Sequence, residues 1–205
     1  MEELLERYPE LKHCKDDIEK VIDIIEETYK LGGKILICGN GGSCADCEHI
    51  VGELMKGFMS SRPLTPEEYE ILEAVGEGGK FMAENLQRCI PAISLPSQTA
   101  IQSAFCNDVK PELVYAQLMF GYGKKGDCAI GLSTSGNSKN VVYAMKAAKA
   151  IGLKTVALTG EEKSKLSEIC NVTVRVPETE TYKVQELHLP VYHYICAKVE
   201  KDLFD

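Results

Sequence analysis

The stretch KILICGNGGS, residues 34–43, sets a short apolar run directly against an Asn-Gly-Gly-Ser loop. KILICG (34–39) has the length and continuous apolarity of a strand buried on both faces. The pattern after the loop, from about Cys44 to Phe58, is helical and carries His49 and Glu53 four residues apart. Strand, glycine-serine turn and helix in that order form the opening unit of an α/β fold.

The same alternation continues in both directions. Upstream, Ile18, Val21, Ile22, Ile25 and Tyr29 share one helical face, and Gly32 and Gly33 supply the stop. Downstream, PAISL (91–95), DCAIGLS (127–133), KTVALTG (154–160) and VTVRVP (172–177) are further strand candidates. Helical patterns around 111–120, 139–151 and 164–169 separate them. Such alternation implies right-handed crossovers and a parallel sheet with helices on both faces, a three-layer αβα domain. Residues 60–90 are more polar, with T-P-E-E at 65–68 as a helix start and Gly76, Gly78 and Gly79 as breaks, and read as a helical insert that could cover or narrow a pocket. A last helix from about Lys183 to Phe204 is expected to be interrupted at Pro190. The 205 residues are expected to form one domain.

Composition narrows the function. A formal charge of −8 with no basic run excludes a surface built to neutralise nucleic-acid phosphates. Apolar residues are 44% and charged residues 26%, an ordinary globular balance. The apolar stretches are only strand-length, so no membrane span is expected, and the charged N-terminal stretch reads as no secretory signal. Nine cysteines, an odd number without framework spacing, suggest reduced thiols in a cytoplasm.

The loop after the first strand has a twin. The strand at 127–133 runs into STSGNS (133–138), again ahead of a helix. In a parallel sheet both loops emerge at carboxyl ends of strands, where open α/β folds bind ligands, and each leads to a helix N-terminus that favours an anion. Ser133, Thr134, Ser135 and Ser138 add hydroxyl donors, an uncharged cradle suited to a phosphate monoester. Either loop alone is equally well a turn with a Ser N-cap; two of them favour the ligand. Neither contains the Gly-Lys-Ser/Thr of a Walker A loop, and GNGGSC lacks the third glycine of a dinucleotide fingerprint.

His49 and Glu53 share a helix face and can hold a divalent metal or divide acid and base roles, although a surface ion pair is the commoner outcome for such spacing. On the final helix, His188 is the natural partner of Gln185. His193 lies about 12 Å further along a straight helix, so that it would join Gln185 only by leaning back or through a bend at Pro190. Cys44 and Cys47 form a C-x-x-C, but without a second pair or a thioredoxin-like context they read as local packing. His13 reads as solvated, and Met55 with Phe58 as core or interface.

CGNGGS with DCEHIVGEL, Asn107-Asp108, STSGNSKNV and KVQELHLPVYHYI together resemble the phosphoheptose isomerase family of sugar-isomerase (SIS) domains, over nearly the whole chain except 60–90. The resemblance implies a single SIS domain across 1–205. It places metal and catalytic positions on His49, Glu53, Gln185 and His193, with one zinc ion per subunit. Phosphate contacts fall on Ser133, Thr134, Ser135 and Ser138, and further substrate contacts on Asn40, Gly41, Gly42, Ser43, Asn107 and Asp108. It also implies a homotetramer with sites built between subunits. Two departures stand out: Tyr182 occupies a place where the family commonly has Asp, and Pro190 one where a helix former is usual.

The reaction so implied is interconversion of sedoheptulose 7-phosphate and D-glycero-D-manno-heptose 7-phosphate through a cis-enediol, with Glu53 as base and His193 as the complementary acid/base. Two alternatives are kept: a non-enzymatic SIS protein that binds a sugar phosphate as a regulator or recruits a partner, as in the DnaA-binding relatives, and an isomerase or lyase for another phosphosugar.

Overall fold

The computed structural model describes residues 1–205. A short helix α1 (Glu2–Arg7) and a 3-10 turn lead into α2 (Lys15–Lys30), and then into β1 (Ile35–Gly39) and α3 (Gly42–Met55). The insert holds α4 (Pro66–Glu73) and α5 (Gly79–Asn85). β2 (Ala92–Ser94), α6 (Thr99–Asp108), α7 (Val114–Tyr122), β3 (Cys128–Leu132), α8 (Lys139–Ala150), β4 (Lys154–Thr159), α9 (Lys165–Ile169), β5 (Val172–Arg175) and α10 (Thr181–Phe204) complete the chain.

All five strands are parallel, in the order β2-β1-β3-β4-β5. Alternation along each strand feeds two cores. Ile35 and Ile37, Cys128 and Ile130, and Val156 and Leu158 face α2, α3 and α10. Leu36, Cys38, Ala129 and Ala157 face α7 and α8. The expected three-layer parallel architecture is therefore present.

The strand order places the topological switch point between β1 and β3, where the chain leaves in opposite directions and a crevice opens at the carboxyl ends. Gly39 pairs in register with Leu132, so both glycine-serine loops leave adjacent strands side by side. Asn40 and Asn140 join them through two reciprocal amide hydrogen bonds of 2.9 and 2.8 Å.

Three expectations are corrected. The helix carrying His49 starts at Gly42 and stops at Met55 rather than spanning 44–58, because Lys56 turns extended. α10 is not interrupted: it runs unbroken from Thr181 to Phe204 with Pro190 inside. Pro190 donates no bond to the Glu186 carbonyl, but Glu186 is exposed and water can serve it. The third is α6, a helix the sequence pattern did not reveal; none of its residues is buried.

His188, at the centre of α10, is fully buried, and neither ring nitrogen has a hydrogen-bond partner. Burial drives its pKa down to about 4. From about pH 6.5 down to 4 the unfolded chain carries a proton here that the folded chain lacks, so stability falls as pH falls through that window. At pH 5 this group should cost about 2 kcal/mol relative to pH 7. Denaturant titrations of His188→Leu, which cannot titrate, should show a correspondingly flatter stability profile between pH 7 and 5.

Candidate active site

Packing of α3 against α10 gathers three of the four proposed metal and catalytic residues. Cys47, Ile50 and Leu54 face the core, which turns His49 and Glu53 toward α10. His49 Nε2 lies 3.3 Å from Glu53 Oε1 and 3.3 Å from His193 Nε2. The two imidazoles meet edge to face with centroids 4.8 Å apart, and the Phe58 ring lies 5.7 Å from His193. His49 and Glu53 are thus part of a larger cluster, not an isolated surface pair.

Gln185 is elsewhere. Its amide packs over the start of α3, where a Cβ on Gly42 would lie 2.6 Å from Gln185 Nε2. Eight residues of unbroken helix separate it from His193, about 12 Å. Gln185 makes no hydrogen bond to His49, Glu53 or His193, and α10 does not bend at Pro190 to carry His193 toward it.

The local electrostatics single out Glu53 and His193. Glu53 Oε2 is buried without a hydrogen-bond partner, and Lys56 Nζ stays 3.7 Å away. Burial, reinforced by His49, pushes the His193 imidazole below its ordinary pKa, with Glu53 opposing. Beside them the Tyr192 hydroxyl donates to Asp46 Oδ1 at 3.2 Å, and its oxygen lies 3.0 Å from His49 Nδ1. Burial and Asp46 push the Tyr192 phenol up, and burial also raises the Asp46 carboxyl. Sequence reasoning missed both residues, since Asp46 carries no motif and Tyr192 sits in an apolar run.

Donor chemistry and spacing suit a metal ion only in part. Separations of 3.3 Å match the roughly 3.3 Å edge between ligands of tetrahedral zinc with bonds of about 2.0–2.1 Å. No group of three or more His, Cys, Asp or Glu side chains forms a finished cage, however. His49, Glu53 and His193 are the residues able to hold a cation, with some closing of the cluster around it.

The second loop is built as a cradle. Ser133 is buried and its hydroxyl donates to Ser138 Oγ at 3.0 Å. Ser138 makes no capping bond to α8, which sets aside the plain N-cap reading of this serine. Gly136 has φ +64°, and a Cβ there would run into Ser164 Oγ. Thr134 and Ser135 border a cavity of about 240 Å³ whose other walls include Glu161, Glu162 and Glu178. That side repels an anion, leaving the Ser133–Ser138 side for a phosphate. In the first loop Ser43 is buried and Asn40 is exposed. Asn107 and Asp108 lie exposed at the end of α6, bonded to each other at 2.8 Å.

His193 also borders an apolar cavity of about 340 Å³ lined by Leu4, Tyr8, Phe58, Met59 and Pro190. Of the expected pocket cover, residues 60–90 contribute nothing to this lining; only Phe58 and Met59, ahead of them, do. α4 begins at the expected T-P-E-E, with a Thr65–Glu68 capping box. Cys47 is buried, Cys44 half-buried, and neither is in a disulfide. His13 is exposed, as expected, with Nε2 3.1 Å from the Arg175 carbonyl.

A buried ion pair holds this arrangement. Glu200 receives Arg62 Nε at 2.6 Å and the backbone N–H groups of Phe58, Met59 and Ser60 at 2.7, 2.6 and 3.1 Å. Arg62 also donates to the carbonyls of Leu54 and Glu53 at 2.6 and 2.9 Å. Burial pushes the Glu200 carboxyl up, but these donors outweigh it and hold it below its usual value. Glu200→Ala should destabilise the protein by about 3–5 kcal/mol in urea titrations, because it strands a buried guanidinium. Glu200→Gln, which keeps an acceptor, should lose less.

Comparison with known proteins bears on the fold and the family. Residues 1–84 and 70–160 match the SIS domain model. A phosphoheptose isomerase from Akkermansia muciniphila is 34% identical over 201 residues, covering 98% of this chain and 93% of that protein. The structure of a phosphoheptose isomerase from Neisseria gonorrhoeae superposes with a TM-score of 0.70 at 27% identity over 98% of each chain. One from Francisella tularensis, at 23% identity, shares the fold with a TM-score of 0.78 over 95% of this chain and 91% of that one.

Proposed function

The chain belongs to the phosphoheptose isomerases of the SIS-domain family, and from that premise we propose that it interconverts sedoheptulose 7-phosphate and D-glycero-D-manno-heptose 7-phosphate, with Glu53 and His193 moving the protons. The observation that carries the assignment is the convergence of Glu53 Oε1 and His193 Nε2 on His49 Nε2, at 3.3 Å each. A regulator that only binds a sugar phosphate needs the Ser133–Ser138 cradle but has no use for a paired carboxylate and imidazole, so the enzymatic reading is favoured.

In the proposed reaction Glu53 removes a proton from C1 of the ketose while His193 supplies one to the carbonyl oxygen on C2, giving the cis-enediol. The carboxylic acid then returns its proton to C2 as the hydroxyl on C1 gives up its own to His193, leaving the aldehyde. Each group is asked for about 10²–10⁴-fold. Glu53 Oε2, buried and without a hydrogen-bond partner, suits a base that is not tied up by other donors. The phosphate is read as lying on the Ser133 and Ser138 side of the loop, with Thr134 and Ser135 contributing only where they face away from Glu161, Glu162 and Glu178, and with Asn40, Gly41, Gly42, Ser43, Asn107, Asp108 and Gln185 as further substrate contacts.

A zinc ion is read as held by His49, Glu53 and His193, with Gln185 as the fourth ligand; when bound it would stabilise negative charge developing on the substrate oxygens. Gln185 is about 12 Å from His193, and Glu53 is about 16 Å along α3 from Gly42. The resemblance reads the protein as a homo-oligomer, a tetramer, in which one subunit's cradle could serve another's Glu53. No helix is long and apolar enough to cross a membrane. The nine free cysteines support a reducing, cytoplasmic setting.

Two experiments test this. In deuterated water the protein should introduce deuterium at C1 of sedoheptulose 7-phosphate and C2 of the aldose, with zinc present in the purified enzyme. Glu53→Gln should abolish exchange while sugar-phosphate binding persists; retained turnover removes Glu53 from its role. Mixing Glu53→Gln with a variant disabled in Ser133 and Ser138 should restore part of the activity if sites span subunits, and none if each chain works alone.

A further inference from the structure

We propose that Asp46 and Tyr192 form a relay that fixes His49 as the Nδ1–H tautomer, leaving Nε2 without a proton where it faces Glu53 and His193. Asp46 and His49 are one turn apart on α3, and Tyr192 precedes His193 on α10, so the relay bridges the two helices that make the site. The Tyr192 oxygen lies 3.0 Å from His49 Nδ1 and 3.2 Å from Asp46 Oδ1.

Counting protons decides its direction. Tyr192 has one hydroxyl proton and two neighbours, and an ionised carboxylate is an acceptor only. Were the proton given to Nδ1, the phenol oxygen would confront Asp46 Oδ1 with no hydrogen between them. Given to Asp46, it makes a charge-assisted bond, and the phenol oxygen is left to accept Nδ1–H from His49. The second arrangement satisfies both contacts of Tyr192 and leaves His49 Nε2 facing Glu53 Oε1 with no hydrogen between them. Asp46 Oδ2 is buried with no partner, so the Tyr192 hydroxyl is the side chain's one hydrogen-bond donor. Losing it would leave the carboxylate wholly unpaired, which holds the proton on the Asp46 side.

Nε2 then presents a lone pair to Glu53 Oε1, itself an acceptor, at 3.3 Å, while His193 can donate its own Nε2–H across the other 3.3 Å contact. Two acceptors turned toward one another suit a divalent cation between them. This consequence rests on the zinc reading above; the tautomer does not. Tyr192 is accordingly a positioning residue. Its ring also packs edge to face against His49 and His193, with centroids at 5.5 and 5.0 Å, contacts that phenylalanine would keep.

The test is nitrogen-15 NMR of histidine-labelled, metal-free protein at about pH 8, where an ordinary imidazole is neutral. In the wild type, His49 should show a protonated Nδ1 and a bare Nε2. Tyr192→Phe should lose that preference, and Asp46→Ala, which frees the phenol proton to point at Nδ1, should shift His49 toward the Nε2–H form. Zinc titration of folded Tyr192→Phe should give binding weaker by about 10-fold or more, and turnover should show a lower kcat at similar KM. A wild-type Nε2–H tautomer, or a Tyr192→Phe protein with unchanged tautomer, overturns the relay. Wild-type protein that binds no zinc would overturn the metal reading instead, with the tautomer still deciding the relay.

Discussion

The active cluster depends on a buried charge pair that sits outside it. α3 ends at Met55, and its last turn leaves carbonyls that the helix cannot satisfy. Arg62 reaches back to two of them, on Glu53 and Leu54, and its charge is met by Glu200 on α10. Glu200 in turn gathers three successive backbone N–H groups of the connecting loop. The turn bearing Glu53 is therefore tied, through one guanidinium and one carboxylate, to the helix bearing His193. Arg62 adopts φ +43° to do this, a conformation unusual for a side chain of its size. Buried ion pairs seldom add stability beyond what apolar packing would give. What this one supplies is directional: its bonds fix how far α3 extends past α10, a length that apolar contact would leave free to slide.

The second constraint is the straightness of α10. A break at Pro190 would have changed the direction of the half of α10 that carries His193 relative to the half that carries Gln185. Instead the helix continues, and the two ends of the motif serve different neighbours. Gln185 covers the start of α3 at the phosphate loops, while His193 meets the third turn of the same helix. On the proposed reading, the hydroxyl loop and the Glu53–His193 cluster sit at opposite ends of α3.

Much of this was legible in the sequence, and the limits have physical causes. The strands were visible because burial on both faces demands continuous apolar runs bounded by glycine or polar residues. The two loops followed from their position after those runs, and His49 with Glu53 from helical spacing. α6 was not legible because a helix that buries no side chain has no apolar stripe to betray it. The Arg62–Glu200 pair joins positions 138 residues apart, and nothing local marks a charge destined for burial. Tyr192 was hidden for the opposite reason: in LPVYHYI a tyrosine reads as core, which it is, and its hydroxyl's partners lie on another helix.

The phosphate cradle shows how charge was distributed across the molecule. A dianion is commonly met by Arg or Lys, yet the residues bordering Thr134 and Ser135 include three glutamates and no cation. On the proposed reading, the hydroxyls of Ser133 and Ser138 and the start of α8 would hold the phosphate through oriented dipoles, which are short-ranged and demand close fit. Such a site discriminates by shape and hydrogen bonding more than by charge, and the overall −8 gives no long-range attraction for an anionic substrate. Interactions at the proposed proton-transfer end that tighten only as the enediol forms are the ones that would accelerate the reaction.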